Sequence, residues 1–170
     1  GNIYVTGYTY GGLDGNTNMG GECVKVGLDS TGTLKYEKIH CSDIFLIKYN
    51  SSGTKQWTKQ LGTSSSDEGW GVTTDSSGNI YVTGYTKGDL DGNTIMGGEC
   101  VKRGLDSTGA VKYVKIHCSD IFLVKYNSSG TKQWTKQLGS SKHEQGNDVT
   151  TDLSGNIYVT GWTKGGLDGN

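Results

Sequence analysis

The sequence predicts an all-β chain of stacked, four-stranded repeats, on three observations. The string GNIYVTG begins at Gly1, Gly78 and Gly155, so the chain is periodic at 77 residues, and self-similarity at fixed period outranks local propensity as a guide to fold. The composition has 29 Gly, 10 Tyr and no Pro, which suits short strands joined by tight turns. No stretch keeps a helical apolar period. Residues 1–77 form repeat 1, 78–154 repeat 2, and 155–170 the start of a third.

Each period resolves into four strand-like runs and one insert. GWGVTT has the small residues that a crowded innermost strand needs. It runs through the turn DSSGN into NIYVTGYT. Asp or Asn starts such a turn and Gly takes the positive φ. A glycine-rich loop and the insert follow, at residues 22–42 in repeat 1 and 99–119 in repeat 2. DIFLIKYN comes next, and Ile44 to Tyr49 are apolar on both faces, as a strand between two neighbouring sheets must be. After the turn NSSG, TKQWTKQL alternates Trp57, Lys59 and Leu61 against Gln56, Thr58 and Gln60, the pattern of a half-wet outer strand. Four antiparallel strands per repeat, stacked face to face, describe β-propeller blades, each here with an extra inserted β-hairpin.

A complete propeller needs roughly 4 to 8 blades. This chain supplies the last three strands of one blade, all of a second and the first two of a third. It reads as a window of a longer array, with two broad apolar faces expected open, including the Ile44, Phe45 and Leu46 region.

DSSGNIYVTGYT, GGLDGN, DIFLVKYNSSGTKQWTKQLG and the returning VTTD resemble the bacterial β-propeller repeats called SBBP repeats. The resemblance covers most of the chain outside residues 22–41 and 99–118. It implies an exported or surface-attached protein, often a long array, generally without an assigned catalytic activity. The insert departs from that pattern, so the resemblance supports the scaffold and says little about the insert.

The insert is where chemistry concentrates. With DSTG as its turn, Leu28 faces Leu34, Val26 faces Tyr36 and Val24 faces Lys38. Val24, Val26, Leu28, Leu34 and Tyr36 make one apolar face, which is expected to cover a blade, an adjacent repeat or another chain. The opposite face is charged and carries Cys23 and Cys41 at its base. Cys23 falls across from Ile39, one step short of Cys41, so a staple there needs a twist or bulge to bring the Cα atoms within about 7 Å. Local disulfides Cys23–Cys41 and Cys100–Cys118 are the expected reading, and they imply an oxidising compartment. The rival is a zinc site of Cys23, His40, Cys41 and Glu22. Adjacent strand residues point to opposite faces, which separates His40 from Cys41 and weakens it. The Cys-x-x-Cys-His of covalent haem is absent from the sequence. A reactive Cys41 thiol would lack an obvious activating partner.

Other candidates have plainer explanations. Asp14, Asn16, Asp91 and Asn93 hint at a calcium loop, but few carboxylates lie near them in sequence, and a turn using Asp, Gly and Asn accounts for them. Asn50 and Asn127 begin glycosylation sequons that also read as turns. Trp57 and Trp134 suit blade packing better than a sugar platform. No nucleophile with a base and no recurring acid pair emerges.

The net charge of −1 gives no reason to expect nucleic acid or an anionic membrane surface, and no apolar run reaches the roughly 18 residues that span a bilayer. The two full repeats differ at 16 positions. Seven fall between residues 63 and 71, and four in the hairpin: Val26 becomes Arg103, Thr33 Ala110, Leu34 Val111 and Glu37 Val114. Binding surfaces and exposed linkers tolerate such drift better than catalytic loops do. The expected function is therefore a non-enzymatic extracellular or cell-surface repeat module, structural or adhesive. Its expected partners are neighbouring repeats, identical subunits, or surface glycans or proteins. Two alternatives stay open: a subunit of an extracellular filament held by inter-repeat contacts, and the scaffold part of a propeller enzyme acting on glycans.

Overall fold

The computed structural model describes residues 1–106 and 108–167, the side chains of Val24, Lys25, Val26 and Lys102 excepted. Among them are thirteen strands and one 3₁₀ turn, Leu90–Gly92. The first sheet takes β1 (Ile3–Thr9), β4 (Asp43–Tyr49) and β5 (Lys55–Leu61), in the order β1-β4-β5. The second takes β6 (Asp67–Thr74), β7 (Ile80–Thr86), β10 (Asp120–Tyr126) and β11 (Lys132–Leu138), in the order β6-β7-β10-β11. The last is the pair β12 (Glu144–Thr151) and β13 (Ile157–Thr163). Two separate hairpins, β2 (Glu22–Leu28) with β3 (Leu34–His40) and β8 (Glu99–Leu105) with β9 (Val111–His117), rise from the β1–β4 and β7–β10 connections. All strand pairs within the sheets are antiparallel. These are propeller blades of three, four and two strands in an open row, in the frame the periodicity predicts.

The turns form as their residues dictate. Asn50 Oδ1 accepts from the amides of Ser52 and Thr54 at 3.1 and 2.8 Å, and Gly53 takes φ 78° to close the loop. Asn127 repeats this geometry, so both sequons are turn residues.

The core lies between the first two blades. Ile44, Leu46 and Leu61 of one meet Ile80, Val82, Phe122, Val124 and Tyr126 of the next, with Leu90 beside them. Each such fully buried side chain contributes roughly 1.5–3 kcal/mol. Glycines on the innermost strands let the blades close. A methyl on Gly69 would lie 2.4 Å from Thr6 Oγ1 and 3.1 Å from Ile44 Cγ2. One repeat on, a methyl on Gly146 would meet Thr83 Oγ1 at 2.4 Å and Ile121 Cγ2 at 3.2 Å. Trp57 packs against this core and lies across Gly130 of the neighbouring blade.

One expectation needs correction. Ile44 and Leu46 are not on an open face; they point into the second blade and are 3% and 1% exposed. By strand parity the open face of the first blade carries Ile3, Val5, Phe45 and Ile47, with Ile3 and Val5 exposed. At the other end, the two-stranded last blade leaves an apolar trough of about 360 Å³ bounded by Ile121, Leu123, Leu138, Val159, Trp162 and Leu167.

Candidate functional site: two stapled hairpins and the groove between them

Each hairpin is fixed at its root. Cys23 is bonded to Cys41 and Cys100 to Cys118, with Cα separations of 5.0 and 5.2 Å. The strand register is the one that the turn predicts, Leu28 opposite Leu34 and Cys23 opposite Ile39. The missing step is made where the chain leaves β3: the Cys41 amide donates to the Gly21 carbonyl at 3.0 Å, turning its side chain toward Cys23. Gly20 is needed for that turn, since a methyl there would lie 2.4 Å from the Cys41 carbonyl oxygen. Asp43 then locks the root. Its Oδ2 accepts from the Met19 amide at 2.6 Å and from Gln60 Nε2 at 2.8 Å, and Asp120 repeats this with Met96 and Gln137. Both aspartates are fully buried. Sequence reading missed them; the signal was an acid opening an apolar strand in both copies.

The tips are set by Asp29 and Asp106. Asp29 Oδ1 accepts from the amides of Thr31 and Thr33 at 2.9 and 3.0 Å, and Gly32 takes φ 81°. The Thr31 hydroxyl and these amides hold the Asp29 carboxyl below its usual range.

The first hairpin leans its tip onto the second. Leu105 N–H donates to the Gly32 carbonyl at 3.3 Å, and Thr33 and Leu105 form a parallel bridge. Leu34 is buried, its Cγ only 2.4 Å from where a methyl on Gly104 would sit; Leu28 Cδ2 is 3.0 Å from the same point. Of the expected apolar face, then, Leu34 sits in the contact and Leu28 at its rim. Tyr36 is exposed, and the side chains of Val24 and Val26 lie outside the described residues. In the second hairpin the corresponding Val101, Val111 and Tyr113 are all exposed.

The rival zinc set at the base is not assembled. Both sulfurs are in the disulfide, Glu22 pairs with Lys38 at 3.2 Å, and His40 is exposed. The histidine that does approach sulfur is His143, whose imidazole lies within 4.8 Å of the Cys100 and Cys118 sulfurs. Its Nδ1 accepts from the Ser119 amide at 3.2 Å. Burial, then Lys87 and Lys164, push its pKa below the usual value. Position 66, its counterpart, is serine, 3.6 Å from Cys23 Sγ. His143 arises from drift in a loop of the following blade, so nothing near the cysteines in sequence announces it.

The calcium candidates serve the loops. Asp14 and Asp91 take φ 53°, and each carboxylate is held by a lysine and a threonine of the outer strand, Lys55 and Thr58 for the first, Lys132 and Thr135 for the second. Asn16 and Asn93 donate to the carbonyls of Leu13 and Leu90 at 2.7 Å.

Between the two hairpins and the blades runs a groove of about 740 Å³, lined by Tyr10, Tyr36, Tyr85, Glu22, Glu68 and His117 among others. Burial and its hydrogen bond to Glu68 push the Tyr85 hydroxyl far above its usual pKa, so it stays a donor at any physiological pH. Aromatic faces beside carboxylates offer stacking and hydrogen bonding, the chemistry of reversible binding.

Residues 56–91 and 133–168 each match the family model of the SBBP β-propeller repeat. The chain carries two SBBP-repeat matches in tandem. Each SBBP match runs from the outer strand of one blade through the two inner strands of the next, and the hairpins lie outside both. Two curated proteins are similar at lower identity. The regulatory protein FlaEY of Caulobacter vibrioides is 25% identical over 170 residues, all of this chain and 15% of that protein. An uncharacterised WD repeat-containing protein of Acanthamoeba polyphaga mimivirus is 28% identical over 123 residues, 72% of this chain and 9% of that protein. The two disulfides point to an oxidising, non-cytoplasmic location. Among the described residues no helix is long and apolar enough to cross a membrane.

Proposed function

We propose that this SBBP chain is a non-enzymatic extracellular repeat module, displayed at a bacterial cell surface, with a structural or adhesive role. The observation that carries this reading is the seating of Leu34 of one inserted hairpin on Gly104 of the next. The element that sets these repeats apart from the plain SBBP pattern is used to join one repeat to its neighbour. The buried acids are used likewise: Asp43, Asp67, Asp120 and Glu144 all accept backbone amides that fix loops and roots. The tyrosine-lined groove supports the adhesive side of the reading, with surface glycans or proteins as partners.

Antibodies raised to the chain and applied to intact native cells provide the test. Continuous surface labelling, lost on shaving the cells with protease, is the expected result. Labelling that appears only after lysis overturns the reading.

A further inference from the structure

The two staples share a register and a root, and they differ in one neighbour. Position 66, beside the first, is serine, its Oγ 3.6 Å from Cys23 Sγ. Position 143, beside the second, is histidine, its imidazole within 4.8 Å of both sulfurs. The ring is held there by the residue after Cys118, since the Ser119 amide donates to its Nδ1 at 3.2 Å. With Nδ1 taken, the neutral ring carries its proton on Nε2 and is a donor. The charged groups around it are Lys87, Lys164 and Glu144. Glu144 is buried and engaged by Ser140 and Thr163, so the field at the ring is positive on balance.

Access to the bond is one-sided. Cys118 is fully buried and Cys100 half-buried, as Cys41 and Cys23 are in the first copy. Cys23 lines the groove although the following hairpin stands beside it, with Ile116 and His117 on the same groove. A following hairpin thus leaves this sulfur open to small molecules.

We propose that Cys100–Cys118 is a thiol-exchange site for low-molecular-weight thiols, with His143 stabilising the thiolate that is released, while Cys23–Cys41 is a structural staple only. An incoming thiolate attacks the accessible Cys100 Sγ and forms a mixed disulfide with it. The Cys100–Cys118 bond breaks, and its electron pair leaves on Cys118 as a thiolate. A second small thiolate then attacks the first one's sulfur, releases Cys100 as a thiolate and departs as a small-molecule disulfide. Two small thiols are oxidised and one protein disulfide is reduced. A leaving thiol of lower pKa leaves faster, and an imidazole or cation beside a sulfur lowers its pKa. A disulfide whose reduced form is stabilised in this way is also the more readily reduced at equilibrium. Ser66 offers the first root a hydroxyl, which cannot take up positive charge.

The experiment incubates the oxidised chain with 2-mercaptoethanol and its disulfide at neutral pH. Samples are quenched with acid, free thiols are alkylated, and the four cysteines are mapped by mass spectrometry. The second root should open about tenfold or more faster than the first, with the mixed disulfide on Cys100, and should stay more reduced at equilibrium. His143→Gln keeps an acceptor for the Ser119 amide and should bring the second root down to the rate and equilibrium of the first. A merely loosened or more accessible root would instead stay fast in that variant, and this result overturns the proposal. Ser66→His should speed the first root and leave the second unchanged. Equal rates and equilibria at the two roots of the parent, or a first root unaltered by Ser66→His, overturn it equally.

Discussion

Gly27 and Gly104 are the same residue in two copies of one hairpin, yet the structure assigns opposite outcomes to the same substitution. At Gly104 an added methyl would sit 2.4 Å from Leu34 Cγ and 2.5 Å from Leu34 Cδ2. Leu34 is buried and its turn is tied to Leu105, so it must leave its seat or push the turn away. Overpacking of this kind costs about 1–3 kcal/mol. Removing a strand glycine's freedom in the unfolded chain returns about 0.5–1 kcal/mol. Gly104→Ala should therefore destabilise by about 1–2 kcal/mol, while Gly27→Ala, which meets nothing within 4 Å, should stabilise by about 0.5–1 kcal/mol. In a chain of this size each kcal/mol moves Tm by about 2–4 °C. Hydrogen exchange at the Leu105 amide gives a local readout, because its bond to Gly32 should open faster in Gly104→Ala and be unchanged in Gly27→Ala. If both variants shift Tm in the same direction by the same amount, Leu34 does not seat on Gly104 and the reasoning is wrong.

Three further outcomes follow from particular groups. Burial raises the Asp67 carboxyl to about 6 against the hydrogen bonds from Thr86 and Thr63, so the folded state holds a proton that the unfolded chain has lost. Stability then falls as pH rises from about 4 to about 6 and is level above that; Asp67→Asn should remove this slope and gain about 3 kcal/mol over the parent at pH 8, but not at pH 4, and urea melts at the two values check it. His143 has the opposite sign: its depressed pKa means stability is lost as pH falls below its unfolded value near 6.5, and His143→Ser should abolish that loss in denaturant titrations between pH 7 and 5. Cys23→Ser with Cys41→Ser should cost about 3 kcal/mol or less by the chain-entropy estimate for its loop and free the first tip from Gly104, seen as faster exchange at Leu105, while the β6-β7-β10-β11 amides keep their protection.

Much of the scaffold was legible because its causes are local or periodic. The 77-residue repeat sets blade number and frame, Asx-type turns fix the hairpin registers, and cysteine parity fixes the staples. What was not legible is which face of a repeated strand looks along the array. Ile44 and Phe45 are adjacent and both apolar, and only the direction of blade stacking sends Ile44 into the core and leaves Phe45 over Gly7 on the outer face. The same holds for the hairpin. Its apolar face was plain, but its target depended on a glycine 70 residues beyond Leu34, and an absent side chain leaves no apolar signal in a sequence. Asp43 and Asp120 escaped for a related reason, since a buried acid is recognisable only once the amides that satisfy it are in place.

The drift between the copies separates what the repeats require from what they tolerate. At the loop before each innermost strand, Thr63 and Asp67 of one copy become Ser140 and Glu144 in the next. Thr63 donates its amide and hydroxyl to Asp67 Oδ2 at 2.6 and 2.9 Å. Ser140 donates the same two groups to Glu144, at 2.8 Å to Oε2 and 2.6 Å to Oε1. The threonine of the second strand follows: Thr86 donates to Asp67 and Thr163 to Glu144. Hydroxyl, carboxylate length and partner all differ in detail, while every bond that ties the loop to the blade is kept. A few residues on, Trp70 becomes Asn147 at the bulge of the innermost strand, where both side chains point to solvent and no such bond is at stake. A catalytic loop would hold its exposed chemistry and let its supports vary within limits of stability. Here the supports are held and the exposed chemistry varies, which is the pattern that the proposed structural role expects.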